Sequence, residues 1–329
     1  MDKMSLASCL NSFDAITKDW DDILPTCPMN TVFLTPQWQQ IWWRELGDSD
    51  SLCLLRFDSG NSVHGIASLR SHNGNLTFVG DQDVCDYNDF LVPSGNEEGF
   101  YKDLLEYLSG WDWHSLRLFS LSEDSPTLSY LPDLARRRGY QVDVIQDEVS
   151  PGKVLPKTWD DYLAGLTKKN RHELKRKLRR LDSAEGARWY ALTSVSEIME
   201  GMNDFLTLLK VSKQEKNRFL TPARERFFLS IAQEFGSMDM VRLFFMEMDG
   251  KKVASAFCFD YGSSRLLYNS GYNPDYGYYS VGLLLKALSL KGAIEDGKTY
   301  FDFLRGDEGY KYDLGGQDML LYTMVVTNC

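Results

Sequence analysis

Residues 302–312 combine carboxylates, cations and phenols, the side-chain types that move protons in enzyme reactions. Asp302 or Glu308 could serve as a general base, and Tyr310 or Tyr312 as a proton donor. The segment follows a strand-like stretch, and catalytic groups are often found where a loop leaves a rigid sheet. A salt-bridged turn is the alternative interpretation, but the density of mixed chemistry favours a site.

A second candidate is the segment of residues 272–282, which leaves a predicted strand and enters a predicted apolar helix. Unbonded amides and the dipole at such a helix start can bind a pyrophosphate. Ser280 could cap the helix, and the glycines Gly277 and Gly282 would let a phosphate come close. An ordinary capped helix start explains the same residues equally well. The spacing is one residue too long for a hydrolase nucleophile elbow, and no histidine lies near, which argues against a serine hydrolase.

Residues 292–299 match the phosphate-binding pattern Gly-x-x-x-x-Gly-Lys-Thr letter for letter. That pattern binds phosphate where a strand precedes the loop and a helix follows it, because the helix start supplies the amides. Here a predicted apolar helix precedes the loop, and Glu295 and Asp296 would place two carboxylates against the phosphates. The sequence therefore predicts a helix end and a turn rather than an ATPase.

The strongest compositional feature is the basic stretch of residues 168–181, interrupted only by Glu173. Leu174, Leu178 and Leu181 recur at helical spacing and can dock a helix whose cations then face solvent. Such a helix could contact the phosphates of a nucleotide cofactor, a tRNA or an anionic glycan. A solvated helix face is the alternative.

Charge is divided unevenly along the 329 residues. The whole chain carries a net charge of −11, of which residues 1–150 contribute −14 and the remainder +3, so an anionic ligand is expected to prefer the second half. The six cysteines and four histidines are dispersed, which predicts no metal site. No apolar run approaches the roughly 18 residues of a membrane helix. Residues 1–5 lead into no apolar leader segment, so we expect a cytoplasmic protein without membrane insertion.

The order of predicted elements indicates an α/β fold with mixed sheets, helices on both faces and two related halves. A boundary is expected near residue 150, which gives halves of residues 1–150 and 151–329. The first half alternates strands and helices. In the second half we predict helices over residues 159–166, 168–181, 195–213, 222–235 and 281–294, a three-stranded meander over 240–269, and a last pair of strands over 300–304 and 320–326.

Three segments together resemble a known family. Residues 33–43, 169–181 and 266–311 resemble the acetyltransferase-like branch of the GCN5-related N-acetyltransferase (GNAT) superfamily that is associated with cellulose and exopolysaccharide biosynthesis. The resemblance implies two tandem acetyltransferase-like halves, of which the second holds an acyl-CoA site, with acetyl-CoA as the expected donor. It also links the chain distantly to the tRNA-dependent Fem peptidyltransferases.

The resemblance also implies positions for the site. The strand beside the thioester falls on residues 267–270, with backbone donors near Tyr268 and Asn269. The superfamily's pyrophosphate loop, here rich in tyrosine, falls on Gly277, Tyr279, Ser280, Val281 and Gly282. The catalytic, acceptor end of the site falls on Asp302, Arg305, Glu308, Lys311 and Tyr312.

Three functions follow as hypotheses. The first is transfer of an acyl group, which the resemblance implies is acetyl, from a CoA thioester to an amine or hydroxyl of a sugar or amino-sugar acceptor by direct attack. The second is a Fem-like transfer from an aminoacyl-tRNA, with residues 168–180 meeting the RNA. The third is an inactive binding module in polysaccharide biosynthesis. None of the three involves DNA or a metal ion.

Overall fold

A computed structural model describes residues 6–10, 12–47, 50–60 and 62–328. Residues 1–5, on which the expectation about a leader segment depends, lie outside the described residues. The chain forms two compact units, one of residues 1–149 with 319–329 and one of residues 150–318.

The first unit is built on a mixed sheet with the strand order β1-β2-β3-β4-β5-β13-β6 among the described residues. Its helices are Thr17–Ile23 (α1), Pro36–Leu46 (α2), Glu97–Ser109 (α3) and Pro126–Arg137 (α4). Its strands are Leu6–Leu10 (β1), Ser51–Ser59 (β2), Ser62–His72 (β3), Asn75–Phe78 (β4), Ser115–Ser122 (β5), Gln141–Val149 (β6) and Leu320–Thr327 (β13).

The last strand, β13, lies in this first sheet, although the sequence pattern pairs it with a strand near residue 300. It runs antiparallel to both β5 and β6. Leu321, Met324 and Val326 are buried there. A short alternating strand of this kind fits any sheet with an open position, so the apolar pattern alone does not identify its partner.

The second unit contains a mixed sheet with the strand order β7-β12-β11-β10-β9-β8 in the described part of the chain. Its strands are Gly152–Val154 (β7), Arg188–Leu192 (β8), Val241–Met248 (β9), Lys251–Tyr261 (β10), Ser264–Tyr272 (β11) and Tyr300–Asp302 (β12). Its helices are Trp159–Gly165 (α5), Lys168–Asp182 (α6), Val195–Ser212 (α7), Gln214–Phe219 (α8), Pro222–Ser237 (α9), Val281–Glu295 (α10) and Gly309–Asp313 (α11).

Both units repeat one motif, which confirms the predicted mixed α/β fold with two tandem halves. In the first unit an antiparallel meander, β2-β3-β4, is followed by α3 and by β5, which runs parallel to β4. In the second unit the meander β9-β10-β11 is followed by α10 and by β12, which runs parallel to β11. The repeat makes α3 and α10 equivalent crossover helices.

The parallel pair of the second unit separates early. Its pairing extends from Ser264 and Tyr300 to Leu266 and Asp302, whereas β11 continues to Tyr272. Beyond Leu266 the two chain segments are therefore not hydrogen-bonded to each other, and an opening can form between β11 and the loop that follows β12.

The ATP-binding pattern of residues 292–299 is a helix end, as predicted. Gly292 lies inside α10, and Gly297 has a positive φ of 74° just after the helix. The Gly297 amide donates to the Ile294 carbonyl at 3.0 Å, and the Lys298 amide donates to the Ala293 carbonyl at 2.9 Å. These bonds close the helix end and leave no amides for a phosphate.

A buried ion pair fixes the far end of α10 to the sheet. The guanidinium of Arg265, on β11, is fully buried and binds both carboxylate oxygens of Asp260, on β10, at 2.7 and 2.8 Å. It also donates to the carboxylate of Asp296, directly after α10, at 2.7 Å and to the Ser289 carbonyl within α10 at 3.3 Å. One arginine therefore joins two strands and the helix that must point towards the opening.

Among the helices of the described residues, none combines the length and the hydropathy of a membrane-spanning segment.

Replacing Arg265 by methionine should destabilise the protein by about 3–5 kcal/mol, because the buried Asp260 carboxylate loses its main counter-charge. Chemical denaturation measures the change. The matched control is Lys291→Met, which removes an i,i+4 pair between a half-buried lysine and the exposed Glu295 on the same helix and should cost at most about 0.5 kcal/mol. Equal losses in the two variants would contradict the anchoring role of Arg265.

Candidate active site

A cavity of about 330 Å³ opens at the start of α10, within the second unit. Its walls come from α6, the junction of α7 and α8, the end of β11, the first turns of α10 and the segment after β12. The lining residues are Lys177, Ser212, Lys213, Lys216, Ser270, Tyr272, Gly277, Ser280, Val281, Gly282, Leu283, Lys286, Glu308 and Tyr310.

The start of α10 presents its backbone amides to this cavity. Residues Pro274–Tyr279 form a 3-10 helix, and Ser280 then adopts a left-handed conformation with φ 58°. The first backbone hydrogen bond of the helix is donated by the Leu284 amide to the Ser280 carbonyl at 2.9 Å. The amides of residues 281–283 therefore have no partner within the helix, and they carry its positive dipole end.

The expectation that Ser280 caps α10 with its side chain was wrong. No side-chain capping bond is formed, because the left-handed backbone turns the serine away from the first-turn amides; the Ser280 amide instead donates to the Gly277 carbonyl at 3.0 Å. Ser280 lines the cavity. A helix start that its own cap does not fill is open to an anion from solution.

Close packing requires a glycine at residue 282 but not at residue 277. A Cβ at Gly282 would lie 2.8 Å from Cδ1 of Tyr272, so the glycine permits α10 to pack against β11. A Cβ at Gly277 would meet nothing within 4 Å. Tyr279 is not among the cavity-lining residues; its ring packs against the core of the second unit and against Tyr278, with the ring centroids 5.1 Å apart.

The basic helix α6 supports the loop before α10. The guanidinium of Arg180 donates to the Tyr278 carbonyl and lies 4.7 Å from the centroid of the Tyr278 ring. Leu174 and Leu181 are buried, as the spacing predicted. A separate groove of about 550 Å³ is lined by α6 residues Lys168, Arg171, His172, Lys175, Leu178 and Arg179.

Lys286 is the most unusual residue of the cavity, and the sequence analysis did not select it. It lies on α10 and is only 9 % exposed, yet in the described residues its amine has no hydrogen-bond partner. The amine lies 4.1 Å from the centroid of the Tyr310 ring. Burial, reinforced by the nearby Lys216, lowers the pKa of Lys286 to about 7. The available signal was a lysine within the otherwise apolar run of residues 281–290.

Lys216, on α8, faces the same cavity from the opposite wall. Its amine donates to the Ser270 carbonyl and, at 3.2 Å, to Oδ1 of Asn269. Burial lowers the pKa of Lys216 to about 8. Because α8 was not predicted, this lysine could not be placed from the sequence.

Lys311 holds the loop that follows β12. Its amine donates to the carbonyls of Leu304 and Arg305 at 2.7 Å and of Gly306 at 2.9 Å, and it pairs with Oε2 of Glu308 at 2.9 Å. Leu304 and Gly306 both have positive φ, so the lysine stabilises a loop of unfavourable backbone conformation. Burial opposes ionisation of Glu308, but Lys311 outweighs it and lowers the pKa of that carboxyl.

The remaining acceptor-end residues lie elsewhere. The carboxylate of Asp302 is buried and accepts the Leu304 amide at 2.8 Å. The phenol of Tyr312 donates to Asp318 at 2.7 Å, and this bond raises its pKa to about 12. Neither residue lines the cavity, nor does Arg305, whereas Glu308 and Tyr310 do.

Strand β11 carries a bulge at the position assigned to the thioester. Asn269 lies opposite Phe257 and Leu267 lies opposite Cys258, which leaves Tyr268 as the extra residue. The Tyr268 ring packs on the far side of the sheet, with centroids 5.6 Å from Phe228 and 5.4 Å from Phe259. A bulge breaks the ladder locally and redirects backbone groups.

The equivalent helix of the first unit is closed to anions. Helix α3 carries Glu97 and Glu98 in its first turn, and the Gly95 amide donates to Glu97 at 2.8 Å. Helix α10 has no acidic residue in its first turn. Of these two crossover helices, the second is the one that leaves room for an external anion. In the described residues, no cluster of three or more histidine, cysteine or carboxylate side chains is arranged to hold a metal ion.

Replacing Lys286 by methionine should raise the free energy of unfolding at pH 7, because the native amine loses hydration on folding. A buried lysine with a pKa of about 7 costs stability at and below that pH, and the cost disappears as pH rises towards the unfolded value of about 10.4. The gain should therefore shrink between pH 7 and pH 10. Thermal unfolding at several pH values measures it, with Lys291→Met on the same helix as the control. A gain that does not change with pH would contradict the burial of an uncharged amine.

Comparisons with known proteins place these features in context. Residues 168–312 match the family described as an acetyltransferase (GNAT) domain. No curated protein matches the sequence.

Solved structures show similarity over nearly the whole chain. FemX matches with a TM-score of 0.66 and 13 % identity over 93 % of this chain and 95 % of its own. The C-terminal domain of a putative lysylphosphatidylglycerol synthetase from Agrobacterium fabrum matches with a TM-score of 0.61 and 11 % identity. The match covers 97 % of this chain and 93 % of that domain's chain. A tandem GNAT protein from the clavulanic acid biosynthesis pathway matches with a TM-score of 0.53 and 12 % identity over 99 % of each chain. At these identities the similarity concerns the fold. The chain thus has the tandem GNAT fold, and its second unit carries the segment that matches the acetyltransferase (GNAT) domain family.

Proposed function

We propose that the second unit is an acyltransferase that takes an acyl group, acetyl in the simplest case, from a CoA thioester. The observation that carries the proposal is the start of α10, where three amides without intrahelical partners open into a lysine-lined cavity. The dipole and these amides suit the donor's pyrophosphate. The family match supports the assignment, since GNAT domains typically use acyl-CoA donors.

The acceptor is proposed to be an amine or hydroxyl of a sugar or amino sugar, which attacks the thioester directly. The thioester carbonyl would lie beside the bulge of β11, where redirected backbone groups can stabilise the developing negative charge. A bond forms between the nucleophile and the carbonyl carbon, and the carbon–sulfur bond breaks. Tyr310 lines the cavity, and its phenol can protonate the departing thiolate.

The groove along α6 favours a second candidate function. Its five basic residues could contact RNA phosphates, as expected for a Fem-like enzyme that uses an aminoacyl-tRNA. The fold shared with FemX fits this alternative. A role in cellulose or exopolysaccharide biosynthesis, as an enzyme or as a binding module, is a proposal that follows from the family resemblance alone.

Acetyl-CoA should raise the melting temperature of the protein, and bulk tRNA should not. Ser280→Asp places a carboxylate at the start of α10, as the first turn of α3 already has, and should weaken acetyl-CoA binding at least about tenfold through repulsion. Isothermal titration calorimetry measures the affinity. Aspartate tolerates the left-handed backbone at residue 280, so the variant is expected to fold.

The matched control is Thr221→Asp, the same change at the start of α9, outside the cavity. It should bind acetyl-CoA as the native protein does. Stabilisation by aminoacyl-tRNA but not by acetyl-CoA, abolished by Lys175→Glu with Arg179→Glu, would favour the second candidate. If neither acetyl-CoA nor aminoacyl-tRNA stabilised the protein, the result would favour the third hypothesis, an inactive binding module.

A further inference from the structure

Three of the acceptor-end residues that the resemblance implies already have partners within the protein, which leaves room for a different general base. Asp302 is buried outside the cavity and bound to the Leu304 amide. Lys311 is bound to three carbonyls and to Glu308. Glu308 lines the cavity, but that ion pair lowers its pKa and makes it a weak base. A proton acceptor within the cavity must be sought among the other lining residues.

Lys286 has the geometry that a proton acceptor needs. It lies within the second turn of α10 and lines the cavity; the residue as a whole is 9 % exposed, and in the described residues its amine makes no hydrogen bond. The amine lies over the face of the Tyr310 ring at 4.1 Å. An incoming nucleophile would therefore meet an amine whose lone pair is not already committed to the protein.

The charges around Lys286 come from three directions. Lys213 and Lys216 face it from the start of α8 and from α8 itself, and Lys177 faces the cavity from α6. Glu308 and Lys311 face it from the segment after β12. Burial and the neighbouring lysines disfavour the ammonium form, whereas Glu308 and the Tyr310 ring favour it. The balance lowers the pKa of Lys286 to about 7, where a base works efficiently at neutral pH.

We propose that the uncharged amine of Lys286 accepts the proton of the acceptor nucleophile, with Tyr310 as its acid partner; this inference rests on the proposed acyl transfer. The nucleophile's lone pair forms the bond to the thioester carbon, and its proton passes to Lys286. The carbon–sulfur pair leaves with sulfur, which takes the Tyr310 proton. After the products leave, the lysine ammonium returns its proton to the phenolate through solvent, so that neither residue is consumed.

The first test reads the protonation of Lys286 directly. In protein labelled with carbon-13 at the lysine ε-carbon, the signal that is missing from Lys286→Met should titrate near pH 7. A lysine side chain in free solution titrates about three pH units higher, near 10.4. Titration of the Lys286 signal above pH 9 would overturn the proposal, whatever the enzyme's substrates prove to be.

The second test separates a base from a cation that merely binds an anion. Thiol release from acetyl-CoA is followed against pH with a panel of amino sugars as acceptors. Native kcat/KM should fall below the pH at which the Lys286 signal titrates. Lys286→Met and Lys286→Arg should both lower kcat at least about a hundredfold and remove this acid limb, because neither side chain can accept a proton near pH 7. Lys291→Met should retain the native profile.

Retained activity in Lys286→Arg would overturn the proposal, since arginine keeps the charge and loses the base. Native protein that binds acetyl-CoA but releases no thiol with any amino sugar would overturn it as well. Native protein that does not bind acetyl-CoA at all would instead remove the proposed donor, and the carbon-13 titration would still report whether Lys286 is uncharged at neutral pH.

Discussion

The buried pairing of Arg265 with Asp260 and Asp296 is the interaction on which the site depends. It joins β10, β11 and the end of α10, and so fixes the direction in which that helix points. Because the opposite end of α10 supplies the amides of the cavity, a shift of the anchor would move those amides relative to the bulge of β11. The Arg265 guanidinium is fully buried, and a buried charge destabilises the protein unless it is fully paired. The positions of Asp260 and Asp296 are therefore tightly constrained.

The residues that line the cavity of the second unit carry more positive than negative charge. Three lysines (Lys177, Lys213 and Lys216) and the start of α10 converge there, and among the lining residues only Glu308 brings a carboxylate, which already pairs with Lys311. The first unit repeats the same motif, but places Glu97 and Glu98 at its crossover helix. The two halves therefore share an architecture and differ in electrostatics. An anionic donor would relieve the repulsion among these lysines in the second half.

Much of the fold could be predicted because its signals are local. The meander of residues 240–269 and the helix that begins at Val281 follow from turn residues and apolar runs, and the structure places them within a few residues. Helix α8 was not predicted, because none of its six residues is fully buried and its sequence therefore shows no apolar pattern. The side-chain cap expected at Ser280 failed for a different reason, since its left-handed backbone is set by the preceding 3-10 helix.

By itself, the sequence determined the fold class and the uneven charge, and it predicted the turn before α10 as a candidate place for an anion. These depend on residue type and on spacing along the chain, and both are visible in the sequence without knowledge of contacts between distant residues. Only the tertiary structure decided that β13 belongs to the first sheet, that Lys311 is committed to the carbonyls of its own loop, and that the Lys286 amine lies over the Tyr310 ring with no hydrogen-bond partner in the described part of the chain. Pairing of strands, burial of a charge and the supply of hydrogen-bond partners are set by residues distant in sequence, so no single segment can reveal them.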